Sequence, residues 1–445
     1  MDLIVKTTVQ PDCAMHTEDV EDGNGHLMHS LAARLFPLCR SITGPGTRET
    51  LRVLQEYIPL RIHEVPTGTK AFDWTVPKEW IIRDAFIEDH TGNRIVDFRR
   101  NNLHVVGYSV PVNQRVSLKE LEEHLYSLPE QPDAIPYVTS YYKERWGFCI
   151  SHQERVRLRD GTYRVFIDSE LKDGALSYGE CIISGETRKE VLLSTYVCHP
   201  SMGNNELSGP VVTAFIAKWL QSEARYYTYR MIFVPETIGS ITYLSRHLEH
   251  LQRATVVGFN LSCIGDERGY SYVGSRYGNT LADKVARHVL SSMCPDYISY
   301  SFLDRGSDER QYCSPGVDLP LVTLCRSKYG TYPEYHTSLD NLDFITPAGL
   351  AGGYELVRRC LEAVERNRNY KVTCYGEPQL GKRGLYPTIS TKSSGAAVRV
   401  MMDVIAYADG RNDLIDIANI IGVPVWELFQ IVSQLEAAGV IREDG

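Results

Sequence analysis

Short apolar runs that alternate with amphipathic segments dominate the chain between residues 160 and 345. Continuous apolar runs predict strands buried on both faces, and apolar residues spaced three or four apart predict helices. Strands are predicted at 191–197, 229–235, 255–262 and 319–325, and helices at 207–221, 241–252, 281–293 and 348–365. This alternation predicts an α/β fold whose largely parallel sheet is flanked by helices.

The rest of the chain divides into segments of different character. Residues 1–25 are polar and acidic, which predicts a flexible N-terminal tail, and helical spacing in 26–60 assigns that segment to the main domain with 131–372. Alternating runs broken by Gly, Pro and Asn predict a small β-rich domain inserted at 61–130. A Gly/Pro/Ser-rich stretch predicts a linker at 373–395.

The C-terminal segment, 396–445, has the pattern of a winged helix. Helices are predicted at 396–407, 414–421 and 424–438, followed by a strand in VIRED. Related helix-turn-helix modules often bind DNA. From Arg399 onward, however, three basic residues stand against eight acidic ones, a net charge of −5. Because phosphate binding needs positive charge, we interpret the segment as a packing or protein-partner module, which also allows a homo-oligomer.

Composition excludes some classes of protein. The 445 residues carry a formal net charge of −9, which does not suit a general binder of nucleic acid or anionic membranes. No apolar stretch approaches the roughly 18 residues of a membrane span. Eleven cysteines lack C-x-x-C spacing. Buried reduced thiols and a cytoplasmic location are therefore expected.

Aromatic residues are concentrated in the segment 135–154. They are Tyr137, Tyr141, Tyr142, Trp146 and Phe148. Such a cluster predicts either a packed seam between domains or an aromatic wall that faces a substrate.

Polar residues follow each predicted strand of the α/β region. His199, Glu236 and Ser262 stand at the ends of the first three strands, and His336 lies in the loop after the fourth. Ligands of open α/β sheets bind beyond the carboxyl ends of the strands. Imidazole and carboxylate groups are natural zinc ligands, and a catalytic zinc takes about three of them with one position open. The sequence therefore predicts a zinc site at this rim.

Five segments carry a resemblance to a known group of enzymes. HPSMGNNELSG, VPETIGS, GFNLSCIG, RGSDERQY and YHTSLDNLD are similar in order and spacing to the motifs of the co-catalytic zinc aminopeptidases. With SITGPGT, FDWTVP and PYVTSYYKERWGFCISH, the whole chain resembles a bacterial family of aminopeptidase-like proteins of uncharacterised function. The resemblance implies a zinc-exopeptidase-like (phosphorylase/hydrolase-like) mixed sheet, an inserted β domain and a C-terminal winged helix.

Three positions differ from the pattern of the zinc aminopeptidases. Asn205 stands where those enzymes have a bridging Asp, Thr237 where they have a second Glu, and Ser262 where they have a third carboxylate. Two neighbouring dications need anionic ligands, and a neutral Asn cannot bridge them well. A two-ion centre is therefore not the preferred expectation, although it remains open.

The matching positions imply a smaller site. His199 and His336 match the metal histidines, and Glu236 matches the general base that takes a proton from the attacking water. One zinc ion held by His199, Glu206 and His336 is the resulting prediction. Glu206 has an alternative role, which is to satisfy free N–H groups at the start of the following helix.

Other polar residues near these motifs are candidates for further roles. Asp266 or Asp340 would complete or orient the zinc ligands. Four residues are predicted to bind substrate: Asn205, Asp308, Arg310 and Tyr335. The loop around 305–312, which carries Asp308 and Arg310, lines the substrate pocket in the related peptidases. An arginine there would receive a substrate carboxylate, and Asp308 or Glu206 would hold an amino group. The alternative is a surface loop whose charges pair with one another.

The preferred functional hypothesis is a zinc-dependent hydrolase that cleaves an amide or peptide bond of a small aminoacyl or N-acyl substrate. Two alternatives remain. In the first alternative, the protein is a degenerate peptidase fold that binds a ligand without catalysis. In the second, it is a single-zinc acyl transferase or cyclase. The resemblance also implies a place in polysaccharide or small-molecule biosynthesis.

Overall fold

The structure is a computed structural model that describes residues 22–141, 143–385 and 392–444. The predicted tail, 1–25, lies outside the described residues except for 22–25, which begin the first helix. The helices are α1 (Asp22–Leu35), α2 (Pro45–Gln55), α3 (Leu118–Glu122), α4 (His152–Arg155), α5 (Ser208–Leu220), α6 (Ile238–Ala254), α7 (Leu281–Met293), α8 (Glu309–Tyr312), α9 (Pro347–Arg366), α10 (Lys392–Tyr407), α11 (Leu414–Ile421) and α12 (Val425–Ala437).

Most of the strands are short. They are β1 (Arg61–Pro66), β2 (Lys70–Ala71), β3 (Trp74–Thr75), β4 (Glu79–Glu88), β5 (Arg94–Asp97), β6 (Val112–Ser117), β7 (Leu125–Tyr126), β8 (Phe148–Cys149), β9 (Thr162–Lys172), β10 (Ala175–Ile183), β11 (Glu190–Tyr196), β12 (Thr228–Val234), β13 (Thr255–Leu261), β14 (Ser271–Val273), β15 (Ile298–Tyr300), β16 (Leu321–Cys325), β17 (Asn369–Val372), β18 (Asp409–Asp413) and β19 (Ile441–Glu443).

The main sheet has eight strands in the order β1-β10-β12-β11-β13-β16-β14-β15. Its central strands β12, β11, β13 and β16 are parallel. Strands β10 and β14 run antiparallel to the central strands beside them. The predicted α/β class with a mixed sheet is confirmed.

Apolar side chains bury both faces of the central strands. In β11, Val191 and Leu193 belong to the cluster formed with α1, α5, α7 and α9, whereas Leu192 belongs to the cluster formed with α6. All seven residues of β11 are buried. A strand covered on both sides cannot expose polar groups along its length, so polar chemistry is confined to the loops at its end.

The inserted domain has different boundaries from those predicted. Its four-stranded sheet has the order β5-β4-β9-β6. Strand β9, at 162–172, pairs along most of its length with β4. Strand β1, at 61–66, instead joins the main sheet against β10. The prediction of 61–130 wrongly included β1 and left out β9, because a local pattern of apolar residues does not identify a strand's distant partner.

The C-terminal module also starts earlier than the predicted residue 396. Strand β17 pairs with β18 and β19 in a three-stranded sheet, which places 369–372 with the winged helix. Part of the predicted linker, 386–391, lies outside the described residues. Buried side chains of α11 and α12 belong to the same continuous apolar cluster as those of α7 and α9. The module is thus packed onto the main domain.

Within the described part of the chain, no single helix is long and apolar enough to cross a membrane. One bent pair, α11 with α12, meets that test by length and composition only.

Candidate active site

Several polar side chains predicted from the sequence meet at the carboxyl end of the parallel strands. His199 lies three residues after β11, Glu236 lies two residues after β12, and Ser262 directly follows β13. Parallel strands end at the same edge of the sheet, so their loops share one rim. The loop that carries His336 reaches this rim too. The ring centre of His336 is 5.3 Å from the ring centre of His199.

Glu206 contacts His199 through a single carboxylate oxygen. Its Oε2 accepts the backbone N–H of His199 at 3.0 Å and lies 3.1 Å from the ring atom Nδ1. Glu206 lies in a π-helical turn, Gly203–Leu207, that precedes α5. The turn directs the carboxylate back toward β11, and the side chain is fully buried. Glu206 therefore fixes the orientation of the imidazole ring.

Arg40 is the cation that compensates Glu206, and the sequence did not reveal it. Its Nε lies 3.0 Å from Glu206 Oε1 as an ion pair without ideal hydrogen-bond geometry, and both side chains are fully buried. The guanidinium also donates to the carbonyl oxygens of His199 at 2.9 Å and Leu35 at 2.7 Å. No local motif identifies such a residue, because its partners are distant in sequence.

Glu236 stands between an imidazole and a guanidinium. Its Oε2 is 3.6 Å from His199 Nε2, and its Oε1 is 3.6 Å from Arg310 Nη2. The side chain is 21% exposed, so solvent and small molecules reach it. Burial raises the pKa of Glu236, while the charges of His199 and Arg310 oppose that shift. A carboxylate of this kind suits proton transfer.

Asp308 supports the turn that follows Glu236. Its Oδ1 accepts the backbone N–H of Thr237 and the hydroxyl of Ser240, both at 2.8 Å. Its Oδ2 is buried and has no hydrogen-bond partner among the described residues. Burial, followed by the charge of Glu236, raises the pKa of Asp308 to about 7. Oδ2 is thus the oxygen of this buried carboxyl that no described group contacts.

His336 has an unusual backbone conformation and a free ring nitrogen. Its φ is 56°, and its carbonyl accepts the N–H of Tyr137 at 2.8 Å. Tyr335 stacks on the ring at 3.9 Å between centres. The Nε2 atom of His336 is buried without a hydrogen-bond partner among the described residues. Burial, and then the charge of His199, lower the pKa of His336 to about 3, so the ring is neutral.

The aromatic segment packs in two different places, beside the two histidines and in the inserted domain. The ring of Tyr137 lies 5.3 Å from that of His199 and 5.2 Å from that of His336, edge to face. Other members, including Trp146 and Phe148, pack into the core of the inserted domain. Tyr142 lies outside the described residues.

Two of the neutral residues at the carboxylate positions, Asn205 and Ser262, both bond to the hydroxyl of Tyr196. The hydroxyl of Tyr196 donates to Asn205 Oδ1 at 3.0 Å and lies 2.6 Å from the hydroxyl of Ser262. The amide nitrogen Nδ2 of Asn205 is buried without a partner among the described residues. Two positions that bind ions in the resembling enzymes are thus joined here through a tyrosine.

Asp266 and Asp340 do not reach the histidines through any described contact. Asp340 accepts the backbone N–H groups of Asn204 and Asn205, the latter at 2.8 Å. Asp266 accepts the side-chain amide of Asn204 at 2.9 Å and the hydroxyl of Ser327 at 2.8 Å. Both carboxylates hold the loop that precedes α5.

The predicted zinc ligands are not gathered as one trio. Among residues 22–141, 143–385 and 392–444, one group of His, Cys, Asp or Glu has three ligand atoms within 4.8 Å of one another, and it consists of Cys198, His199 and Glu206. His336 is not part of it. Burial raises the pKa of the Cys198 thiol to about 11, so the thiol is protonated at neutral pH. Arg40 already compensates Glu206.

The two imidazoles have the type and spacing to share one zinc ion, and they supply two of the about three protein ligands that a catalytic zinc takes. Rings bound to one tetrahedral zinc through Zn–N bonds of about 2.0–2.1 Å have centres about 5 Å apart. The rings of His199 and His336 are 5.3 Å apart, and the buried Nε2 of His336 has no protein partner in the described chain. Asn205, Thr237 and Ser262 supply no negative charge for a second ion.

Comparisons with known proteins agree with this architecture. Residues 29–367 match the family model described as a domain of unknown function, DUF4910, and residues 368–443 match a winged helix-turn-helix model. A curated protein of Clostridium acetobutylicum is 46% identical over 396 residues, covering 88% of this chain and 91% of that protein. It is named, provisionally, as a polysaccharide biosynthesis protein with an aminopeptidase-like domain.

Solved structures show the same fold. A crystal structure from Clostridium acetobutylicum, named provisionally as a peptidase, is 42% identical, with a TM-score of 0.90 over 95% of this chain and 97% of that one. A zinc aminopeptidase from Bacillus subtilis has a TM-score of 0.56 at 12% identity, over 78% and 95% of the two chains. The chain therefore belongs to the DUF4910 family, and in this member an aminopeptidase-like α/β domain is followed by a winged helix.

Proposed function

We propose that the protein is a hydrolase that cleaves an amide or peptide bond of a small aminoacyl or N-acyl substrate. The observation that carries the proposal is the position of Glu236. Its partly exposed carboxylate follows a central strand, 3.6 Å from His199 Nε2 and 3.6 Å from Arg310. A carboxylate between an imidazole and a cation at this rim suits general acid–base catalysis.

In this proposal each group of the chain has a defined role. Glu236 takes a proton from the attacking water and later gives it to the leaving amine. Arg310 receives a carboxylate of the substrate, since guanidinium groups bind carboxylates through two parallel bonds. The unpaired Oδ2 of Asp308 and the free amide nitrogen of Asn205 supply an acceptor and a donor for polar substrate groups. Tyr335 and Tyr137 form apolar walls.

One zinc ion belongs to the proposal, with His199 and His336 as the residues that would hold it. When bound, it would supply Lewis-acid polarisation of the substrate carbonyl. Structural similarity to zinc aminopeptidases supports this assignment at the level of the fold.

The Glu236→Gln variant tests the hydrolase. Purified protein is assayed by mass spectrometry against aminoacyl anilides, short peptides and N-acyl amino acids, with labelled water to detect hydrolysis. We expect at least about a 100-fold loss of kcat in Glu236→Gln, the typical contribution of a general base. Glu56→Gln, at an exposed ion pair with Arg34, is the matched control. Undiminished turnover by Glu236→Gln would refute the assignment.

The neutral residues Asn205, Thr237 and Ser262 favour a second candidate, which is binding without catalysis. The two candidates differ in a measurable way. A binding protein retains its ligand unchanged after long incubation, whereas a hydrolase adds one oxygen from water to the product. A cyclase or acyl transferase adds none, so product mass separates it as well.

The winged helix is proposed to bind no nucleic acid. In α12, Trp426 lies beneath Arg359 at 4.7 Å and Phe429 lies beneath Arg366 at 5.0 Å, both arginines coming from α9. The exposed side of the helix carries Glu427 and Glu436 and no Lys or Arg, so it offers no cation to the phosphates of DNA. We propose that the module serves protein contacts, and the name of the Clostridium relative suggests polysaccharide biosynthesis as the setting.

A further inference from the structure

We propose that the cleft between the inserted domain and the α1–α2 turn is a binding site for a small organic anion with an apolar body. The cleft has a volume of about 400 Å³, within the usual range for small-molecule sites, and such sites often lie between domains. The described residues that line it are distinct from those of the candidate active site. The inference goes beyond the proposed hydrolase and does not rest on it. It gives a role to the inserted domain and to the SITGPGT segment.

Apolar side chains from both domains line the cleft. Phe36 and Leu38 pack at the edge of the main core, whereas Ile82 and Phe98 pack at the edge of the core of the inserted domain. All four side chains are half-buried, so neither core covers them completely. A ligand with an apolar body would remove this remaining surface from water, which is favourable.

Two arginines of the inserted domain supply positive charge at the cleft. Arg99 is already neutralised, because its Nη2 lies 3.1 Å from Asp84 Oδ2. Arg100 is exposed and donates to the carbonyl of Arg94 at 2.6 Å, but it forms no ion pair within the described part of the chain. A guanidinium binds a carboxylate or a phosphate through two parallel bonds. Arg100 is therefore the group that would receive the charge of the ligand.

The buried floor of the cleft is bonded to the segment that follows His199. Asn102 accepts the backbone N–H of Ser201 at 3.0 Å, and its amide donates to the hydroxyl of Ser201 at 2.8 Å. That hydroxyl in turn donates to the carbonyl of Phe36. Three segments that are distant in sequence are thus held together beneath the ligand position.

The α1–α2 turn fixes one side of the cleft. A Cβ atom on Gly46 would lie 2.0 Å from the carbonyl oxygen of Cys39, so only glycine permits this close approach. The hydroxyl of Thr47 donates to the carbonyl of Ser41 at 2.5 Å, which ties the start of α2 back to the turn. A wall that is fixed before the ligand arrives lowers the entropy cost of binding.

A narrow gap lies between the cleft and the two histidines. The gap has a volume of about 30 Å³, enough for about two water molecules, and it shares Trp80 and Asn102 with the lining of the cleft. Tyr137 also lines the gap, and its ring centre lies 5.3 Å from that of His199. A ligand in the cleft is therefore kept from the reacting groups by this constriction.

The experiment measures the binding of two probes to the full-length protein by isothermal titration calorimetry, without substrate. The probes are 1-naphthaleneacetate and 1-naphthyl phosphate, which carry a carboxylate or a phosphate on the same apolar body. We expect saturable binding at one site per chain with a Kd of about 1 mM or tighter, and the two affinities show which anion the site prefers. The uncharged 1-naphthalenemethanol, acetate and inorganic phosphate should each bind at least about tenfold more weakly.

Two variants locate the bound probe. Arg100→Ala should weaken binding at least about tenfold, because it removes the charged hydrogen-bond donor. Leu38→Trp fills the cleft without changing its charge and should abolish binding. Arg83→Ala is the matched control, since this arginine of the inserted domain pairs with Asp168 and Glu170 instead of lining the cleft.

Three results would overturn the inference. The first is that neither probe binds more tightly than about 10 mM. The second is undiminished binding by Arg100→Ala or by Leu38→Trp. The third is loss of binding in Arg310→Ala without loss in Arg100→Ala, which would place the probe beside Glu236. Because no turnover is measured, the result holds whether or not the protein is a hydrolase.

Discussion

Asp308 accepts the backbone N–H of Thr237 at 2.8 Å, and Thr237 is the residue directly after Glu236. Thr237 has a φ of 64°, a left-handed conformation that costs a β-branched residue about 1–3 kcal/mol. The buried carboxylate therefore stabilises a strained turn. Through that turn, it sets the direction in which Glu236 leaves the end of β12.

The pKa of Asp308 leads to a prediction about stability and pH. Because burial and Glu236 raise that pKa to about 7, the folded protein keeps a proton that the unfolded chain releases above about pH 4. The contribution of Asp308 to the free energy of unfolding should therefore decrease from pH 4 to 7. The Asp308→Asn variant has no proton to lose at this position. Its free energy of unfolding, relative to that of wild type, should therefore rise by on the order of 4 kcal/mol between pH 4 and pH 7. Urea denaturation at several pH values measures the difference, and parallel curves for the two proteins would contradict the prediction.

Metal content should follow the two histidines. We expect about one zinc per chain in wild type by plasma mass spectrometry, and a large loss in both His199→Ala and His336→Ala, because each removes an imidazole that would hold the ion. His90→Ala, at an exposed position in the inserted domain, should retain the ion. Two ions per chain would mean that other carboxylates compensate for the neutral side chains of Asn205, Thr237 and Ser262.

Arg310 should affect substrate binding more than turnover. Its guanidinium is 39% exposed beside Glu236, so it is accessible to a substrate carboxylate. For substrates with a free carboxylate, Arg310→Ala should raise KM at least about tenfold, given the roughly 1.5–3 kcal/mol of a charged hydrogen bond. Amidated substrates should show a smaller change. Arg305→Ala, at an exposed position in the same loop, is the control, and equal effects on both substrate types would exclude this role.

His288 should anchor the winged helix to the main domain. Its Nδ1 lies 2.7 Å from Asn419 Oδ1, and its Nε2 accepts the buried N–H of Val425 at 2.9 Å. His288→Ala leaves the buried N–H of Val425 without this partner, which should lower the free energy of unfolding by about 1–3 kcal/mol. Chemical denaturation measures the change, with exposed His26→Ala as the control. A difference below about 0.5 kcal/mol would show that His288 does not anchor the module.

The central strands and the ends of those strands could be predicted from the sequence. Strand β11 is apolar on both faces, and that pattern placed His199 at the rim of the sheet. The same logic placed Glu236 after β12. Local spacing carries this information because a strand buried on both faces is mostly apolar, whereas the loop after it carries the polar residues.

Contacts between distant segments could not be predicted in this way. Glu206 was expected beside the ion, but its carboxylate lies against Nδ1 of His199 and against Arg40. Nothing in the pattern around Arg40 indicates a partner 159 residues away in sequence. The long pairing of β4 with β9 could not be predicted for the same reason, since periodicity describes a segment and not its neighbour in space.

The position of Arg40 near the start of the chain has a consequence for synthesis on the ribosome. Its guanidinium contacts the carbonyl of a residue that is translated 159 residues later. At about 5–20 residues per second, that interval is roughly 8–32 seconds. Until then the nascent chain cannot bury the arginine with its carboxylate, so the packing of α1 and α2 around Arg40 stays incomplete while the segment up to Glu206 is being made.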